Sequence, residues 1–313
     1  MRKIILVGQK VVKTLKPFTK LFSGARKPKQ EPLEPKPSEF LPVELLNEHS
    51  KNFLTERYSQ RGTSALDYAT VRDFCDSADN MPQVCYLNGD LKNAQRPWTI
   101  KAVLGSVPLG SKLLEIGGGI PLVAGMLAEL GYQVTLVDPY EGMGNGPTEY
   151  EAYAQQFPNV NLVKSYFNAD LAGYAESSFD CIYSVSVLEH IPLKGIKDVF
   201  DGIRKFLKPE GFSIHCIDVV IQGDGTQAHE DIFREIFYHQ KRLQEFECLR
   251  SETDKQCDEM LVTLKDDLET FYLSATGHHL WRCGQSYDDF PFRKVVSLQT
   301  CIPYMTLSTS PLA

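Results

Sequence analysis

At 313 residues, the chain is long enough for one large α/β domain with additions, or for two modest domains. Its composition, 42% apolar and 23% charged, is that of a globular protein, and no apolar run is long enough to span a bilayer. The formal charge of −7 is unevenly spread: residues 1–30 carry nine Lys or Arg and no acid, leaving a strongly acidic body that is unsuited to nucleic acid as a main partner.

Residues 1–22, MRKIILVGQKVVKTLKPFTKLF, place Ile4, Val7, Val11, Leu15, Phe18 and Phe22 on one helical face and Lys10, Lys13, Lys16 and Lys20 opposite. That pattern fits a basic amphipathic helix on an anionic membrane surface, with Pro17 working against it. A disordered basic tail is the other reading. An export signal is not expected, because IILVG is short and no small-residue cleavage site follows. A dinucleotide fold's first strand fails too, because QKVVKT stands where its glycines belong. Residues 28–42 hold five prolines and read as an extended linker, so 1–40 are tail and linker.

Residues 41–105 read as a helical N-terminal cap, through LPVELLNEHSKNFLTERY, SALDYATVRDFCDSA and AQRPWTIKAVLGSV. From 112 the rhythm becomes strand then helix. KLLEIG, QVTLVD, NVNLVKSYF, FDCIYSVSV and FSIHCIDVV are β-prone runs, and helical stretches such as 121–130 and 196–207 separate several of them. Alternating β and α with apolar strands implies a parallel sheet covered on both faces, with its core over 106–225. Residues 226–313 read as a helical insertion followed by C-terminal strand structure, including KVVSLQTCIPY. The eight cysteines include no pair two residues apart, so no zinc or thioredoxin pattern exists and no metal is expected. They read as the reduced thiols of a cytoplasmic protein that would meet, at most, the inner face of a membrane. His278 and His279 adjoin Trp281 but point differently, a poor metal pair. Tyr287, Asp288, Asp289 and Arg293 would line a substrate pocket or close the last strand.

The stretch LLEIGGGIPLVAGMLAELGYQVTLVD, residues 113–138, carries the chemistry. KLLEI is a strand, the glycines are a turn, and a helix opens at Pro121, whose missing N–H costs nothing there, and closes before Gly131. Glycines let backbone approach a ligand, and a helix N-terminus directs N–H groups at it. Asp138, ending the next strand, is placed to accept both hydroxyls of a ribose. A dinucleotide site and an S-adenosylmethionine site share all of this. Leu122 stands where the dinucleotide pattern needs its third glycine, and Glu115 would repel a pyrophosphate but suit an ammonium.

EIGGGIP, VDPY, SSFDCIYSVSVLEHI and LKPEG occur in that order, and over about 105–220 the sequence resembles the class I S-adenosylmethionine-dependent methyltransferases. Pro121 replaces the last glycine of their loop. The resemblance implies a doubly wound, mostly parallel seven-stranded α/β sheet with helical additions at both ends. It also implies S-adenosyl-L-methionine as cofactor. Glu115 would hold the amino end of its methionine part, Gly117, Gly118 and Gly119 would lie beneath it, and Asp138 would bind its ribose. Asn168 or Asp170 would face the adenine, while Ser184 and Ser186 would meet the methionine end. His190 would sit near the transferred methyl and is the first candidate base for a hydroxyl acceptor. His229 is the second.

The expected activity is methyl transfer to oxygen on a small-molecule, glycan or lipid acceptor. The alternatives are a non-catalytic methyltransferase-like binder at a membrane surface and, more remotely, an NAD-dependent oxidoreductase. VDPY superficially matches the DPPY loop of amino-directed DNA methyltransferases, but that loop follows the fourth strand, where LEH stands here. No CxxxCxxC cluster exists for radical use of the cofactor.

Overall fold

The computed structural model describes residues 41–59, 61–85, 91–142, 147–244, 247–282 and 284–305. The basic segment 1–22 and the linker as far as residue 40 lie outside the described residues.

The chain enters through α1 (Glu48–Tyr58), capped by the Asn47 side chain accepting from the Ser50 N–H. It continues through β1 (Leu66–Tyr68), α2 (Val71–Asn80), capped by Thr70, the short α3 (Pro82–Cys85) and α4 (Lys92–Ser106). Although α4 holds Pro97 in its interior, every residue from Asn93 to Leu104 is buried. Packing against α5, β5 and β6, rather than intrinsic propensity, keeps this segment helical.

The alternating units follow: β2 (Lys112–Ile116), α5 (Leu122–Glu129), β3 (Gln133–Asp138), α6 (Tyr150–Gln156), β4 (Val160–Lys164), β5 (Phe179–Val185), α7 (Leu193–Phe206) and β6 (Leu207–Gln222). Three further helices, α8 (Thr226–Lys241), α9 (Arg250–Asp266) and α10 (Ala275–Trp281), precede β7 (Lys294–Pro303). The seven strands form one sheet in the order β1-β7-β6-β5-β2-β3-β4. Strands β2 to β6 are mutually parallel, and β7 runs antiparallel to both β6 and β1. The architecture is a doubly wound, mostly parallel seven-stranded sheet.

Both faces are buried, which is why its strands read as unbroken apolar runs. Leu113, Tyr183 and Cys216 join one core with α4 and α5, while Leu114, Ile182 and Ile217 join the other with α7, α8 and α9. From β2 the chain winds outward through β3 and β4, then returns to β5 on the other side. A crevice therefore opens at the carboxyl ends of β2 and β5, the usual ligand position in such sheets.

Two details differ from the sequence pattern. Leu66–Tyr68, inside a region that reads as helical, supplies the seventh strand by pairing with Leu298–Thr300. LKPEG, which reads as a turn before a strand, is an irregularity within β6. Phe179 pairs with Leu207 and Cys181 with Phe212, so Lys208–Gly211 swell out between them, with Glu210 at φ 65.

Candidate functional site

The β2–α5 turn is shaped by three glycines. Gly117 and Gly119 adopt φ of +65 and +56, a region where a side chain is strained. Gly118 does not, but a Cβ there would stand 2.7 Å from the Glu115 carboxyl carbon and 2.6 Å from Leu136. The turn thus passes directly over an acid. It is tied to the neighbouring strand, because the Gly117 N–H donates to Val137 O and the Gly119 N–H donates to Asp138 Oδ2 at 3.0 Å. The other Asp138 oxygen accepts from the Tyr140 N–H at 2.7 Å. Tyr140, at φ 51, returns its hydroxyl to Gly119 O, closing a ring of bonds around the turn.

Glu115 is 2% exposed. Burial pushes its carboxyl up to about 8, against the pull of the Tyr183 hydroxyl, the Ala124 N–H and the Arg96 charge. Tyr183 donates to Glu115 Oε2 at 3.1 Å. A buried acid with few donors around it favours a cationic partner.

The second half of the crevice lies past the end of β5, beside the later part of β6. Val187 links the halves, its methyls standing where a Cβ on Gly117 would fall. Ser186, at φ 55, directly follows β5 and donates to Asp218 Oδ2 at 3.1 Å. Gln95 of α4 donates to Asp218 Oδ1 at 2.7 Å. The Asp218 N–H donates to Glu189 Oε1 at 3.0 Å. Glu189 and His190 stand on a 3-10 turn, Leu188–His190; Glu189 is buried and His190 exposed. His229, in the first turn of α8, has Nδ1 3.1 Å from Asp218 O. A carbonyl only accepts, so Nδ1 carries a proton, and in the neutral ring the lone pair is on Nε2.

The structure therefore brings Glu115, Gly117, Gly118, Gly119 and Asp138 into one cluster, with Ser186, His190 and His229 around Asp218 beside it. Ser184 is placed elsewhere. It is fully buried, its hydroxyl 2.8 Å from His215 Nδ1, while His215 Nε2 meets Ser213 at the same distance. Burial pushes His215 down to about 3, leaving a neutral ring in the core. Asn168 and Asp170 form a local turn, with the Asp170 N–H donating to Asn168 Oδ1. That turn rests on α7, where Gly202 lies close under the Asn168 carbonyl carbon and Lys205 donates to Ala169 O.

The "Methyltransferase domain" family matches residues 114–215, from inside β2 to inside β6. Over that stretch the chain matches a methyltransferase domain. An uncharacterized protein of Mycobacterium tuberculosis, found in two strains, is 33% identical over 127 residues. That match covers 39% of this chain and 40% of the relative. Among solved structures, geranyl diphosphate C-methyltransferase from Streptomyces coelicolor is similar at TM-score 0.41 and 12% identity, covering 80% of this chain and 98% of that one. Phosphoethanolamine N-methyltransferase 2 from Haemonchus contortus is similar at TM-score 0.40 and 16% identity, covering 83% and 75%.

The residues of the methyltransferase domain fit its cofactor. The glycine turn leaves no room for side chains over Glu115, and a fully buried acid stands where an ammonium would relieve it. Sequence reasoning missed Tyr140, Tyr183, Gln95, Glu189 and Asp218. Asp218 lay in plain view as an acid inside the apolar run IHCIDVV, a pattern that asks for buried partners. Gln95 carried no such signal. Among the described residues no cluster of His, Cys, Asp and Glu could hold a metal, and no helix is long and apolar enough to cross a membrane.

Proposed function

We propose that this chain is an S-adenosylmethionine-dependent methyltransferase that methylates oxygen on a small-molecule, glycan or lipid acceptor. The observation that carries the reading is the turn Gly117–Gly119, locked to Asp138 above the buried Glu115 at the crevice of the sheet. Glu115 would hold the amino group of the cofactor, the glycines its underside and Asp138 its ribose, with the Asn168–Asp170 turn beside the adenine. When bound, S-adenosylmethionine supplies an electrophilic methyl group on a sulfonium.

The protein's share of the chemistry is then alignment, exclusion of water and removal of one proton. His229, with its Nε2 lone pair held ready by the Asp218 carbonyl, and His190, on the turn beside Glu189, are the groups suited to take a proton from a hydroxyl. Partial loss of hydration, more than the neighbouring charges, holds the His190 pKa below its ordinary value and favours its neutral, basic form.

The reading is tested by the thermal midpoint of the purified chain with S-adenosylhomocysteine, with NAD as control. At a hundred times its dissociation constant, a ligand adds about 2.7 kcal/mol. Stabilisation by S-adenosylhomocysteine alone, weakened in Asp138→Ala, is expected; stabilisation by NAD alone would overturn it.

For the basic residues 1–22, the proposal is contact with an anionic membrane surface. Cosedimentation with anionic vesicles, lost at high salt and absent with neutral vesicles, is the expected result. Equal binding to both vesicle types would remove the electrostatic account.

A further inference from the structure

Buried carboxylates are as a rule fully dressed by donors. This pair is not. Asp218 receives Gln95 and Ser186, while Glu189 receives the Asp218 N–H on one oxygen. Glu189 is 8% exposed, yet among the described residues its Oε2 has no hydrogen-bond partner. The same holds for Oε1 of Gln95, which is fully buried. Two buried acceptors therefore converge on one aspartate and lack donors, and both belong to side chains that already bind its carboxylate or its backbone.

An unmet buried acceptor asks for a donor, and an unmet buried carboxylate asks for a cationic one. Resting on the methyltransferase reading above, we infer that Glu189, Asp218 and Gln95 bind a protonated amine carried by the methyl acceptor. An ammonium offers three donors and a full positive charge, which suits two carboxylates and an amide oxygen together. A neutral polyol offers donors without that charge and gains less from the pair. The position is right for an acceptor, because Val187 joins this cluster to the glycine turn and the two candidate bases stand at its rim.

The charge balance around the cluster agrees. Burial and then the Asp218 charge push Glu189 up to about 8. Asp218 is also raised by burial, and Gln95, Lys92, Ser186 and His190 draw it back. Lys92 and His190 thus act on Asp218, while the groups that draw Glu189 back are hydrogen-bond donors, not cations. An ammonium docking there would ionise Glu189 and release its proton.

The experiment uses the full chain saturated with S-adenosylhomocysteine and measures binding of ethanolamine and glucosamine by ligand-observed NMR. Ethylene glycol and glucose serve as neutral counterparts at matched ionic strength. The ammonium probes should bind at least tenfold more tightly than the neutral ones, and Glu189→Gln should remove that advantage. Asp218→Asn serves as the second variant, in case the first fails to fold. Calorimetry in two buffers of different ionisation enthalpy should show proton release on binding in the natural chain and none in Glu189→Gln. Equal binding of charged and neutral probes, or an ammonium preference unchanged in both variants, would overturn the inference. Retained S-adenosylhomocysteine binding in the same samples separates that failure from failure of the methyltransferase reading itself.

Discussion

Glu115 ionises reluctantly where it stands, and that has a measurable sign. Its carboxyl is raised to about 8 in the folded chain, against an ordinary value near 4.5. Between those values the folded state holds a proton that the unfolded chain has lost, so stability falls as pH rises through this window. In Glu115→Gln the Tyr183 hydroxyl still finds an amide oxygen, but the ionisation is gone. Denaturant titrations at pH 5 and pH 8.5 should therefore show a smaller loss of stability in the variant than in the natural chain. The same variant should bind S-adenosylhomocysteine at least tenfold more weakly, because the amide offers its ammonium no charge. Gly118→Ala is the complementary change. Its Cβ would strike Glu115 and Leu136, and overpacking of this kind costs about 1–3 kcal/mol in a chemical melt.

These two positions were legible in the sequence because a strand end, a glycine run and an acid are all local patterns. The Glu189–Asp218 contact was not, because strand register and the 3-10 turn create it. Ser184 and Ser186 differ by two residues, yet one meets a core histidine and the other Asp218. The left-handed backbone at Ser186 separates them, and no sequence pattern announces it.

At the scale of elements, the additions before the sheet are held by charge as well as by apolar packing. Asp76 of α2 accepts from Lys101 of α4 at 2.6 Å, and from Arg57 and Tyr58 of α1 at 2.7 and 2.8 Å. Lys101 is 6% exposed and also donates to Ser77. Burial alone would raise Asp76, but these donors outweigh it and hold the carboxyl well below its usual range. Asp76→Asn would strand the buried lysine, and a loss of about 3 kcal/mol by urea titration is expected. Gly105, at the end of α4, presses on the Arg61 carbonyl, so Gly105→Ala should loosen the same junction and lower the thermal midpoint.

Here the sequence was a partial guide. The helices of 41–105 announce themselves by their spacing, while the caps Asn47 and Thr70 emerge only in the structure. LDY does not announce itself as a strand. Three residues are too few for a period, and their partners, Leu298–Thr300, lie near the other end of the chain.

At the scale of the molecule, the alternation of strand and helix from 112 onward already implied a parallel sheet, because runs such as FDCIYSV are apolar on both faces. Strand order is harder to read. It depends on which way the chain turns after β4, and that choice places the crevice.

The position of β1 has one more consequence, for synthesis on the ribosome. β1, Leu66–Tyr68, emerges long before the strand it pairs with, β7, Lys294–Pro303. Until β7 is released, the outer edge of β6 has no neighbour on that side, and β1 has nothing to join. A nascent chain of this design carries an open sheet edge until β7 follows, a state prone to pairing with other chains. Ribosome-stalled chains ending at residue 290 should therefore resist protease less well than chains stalled a full exit tunnel beyond 313. The last strand added closes the sheet on both sides at once.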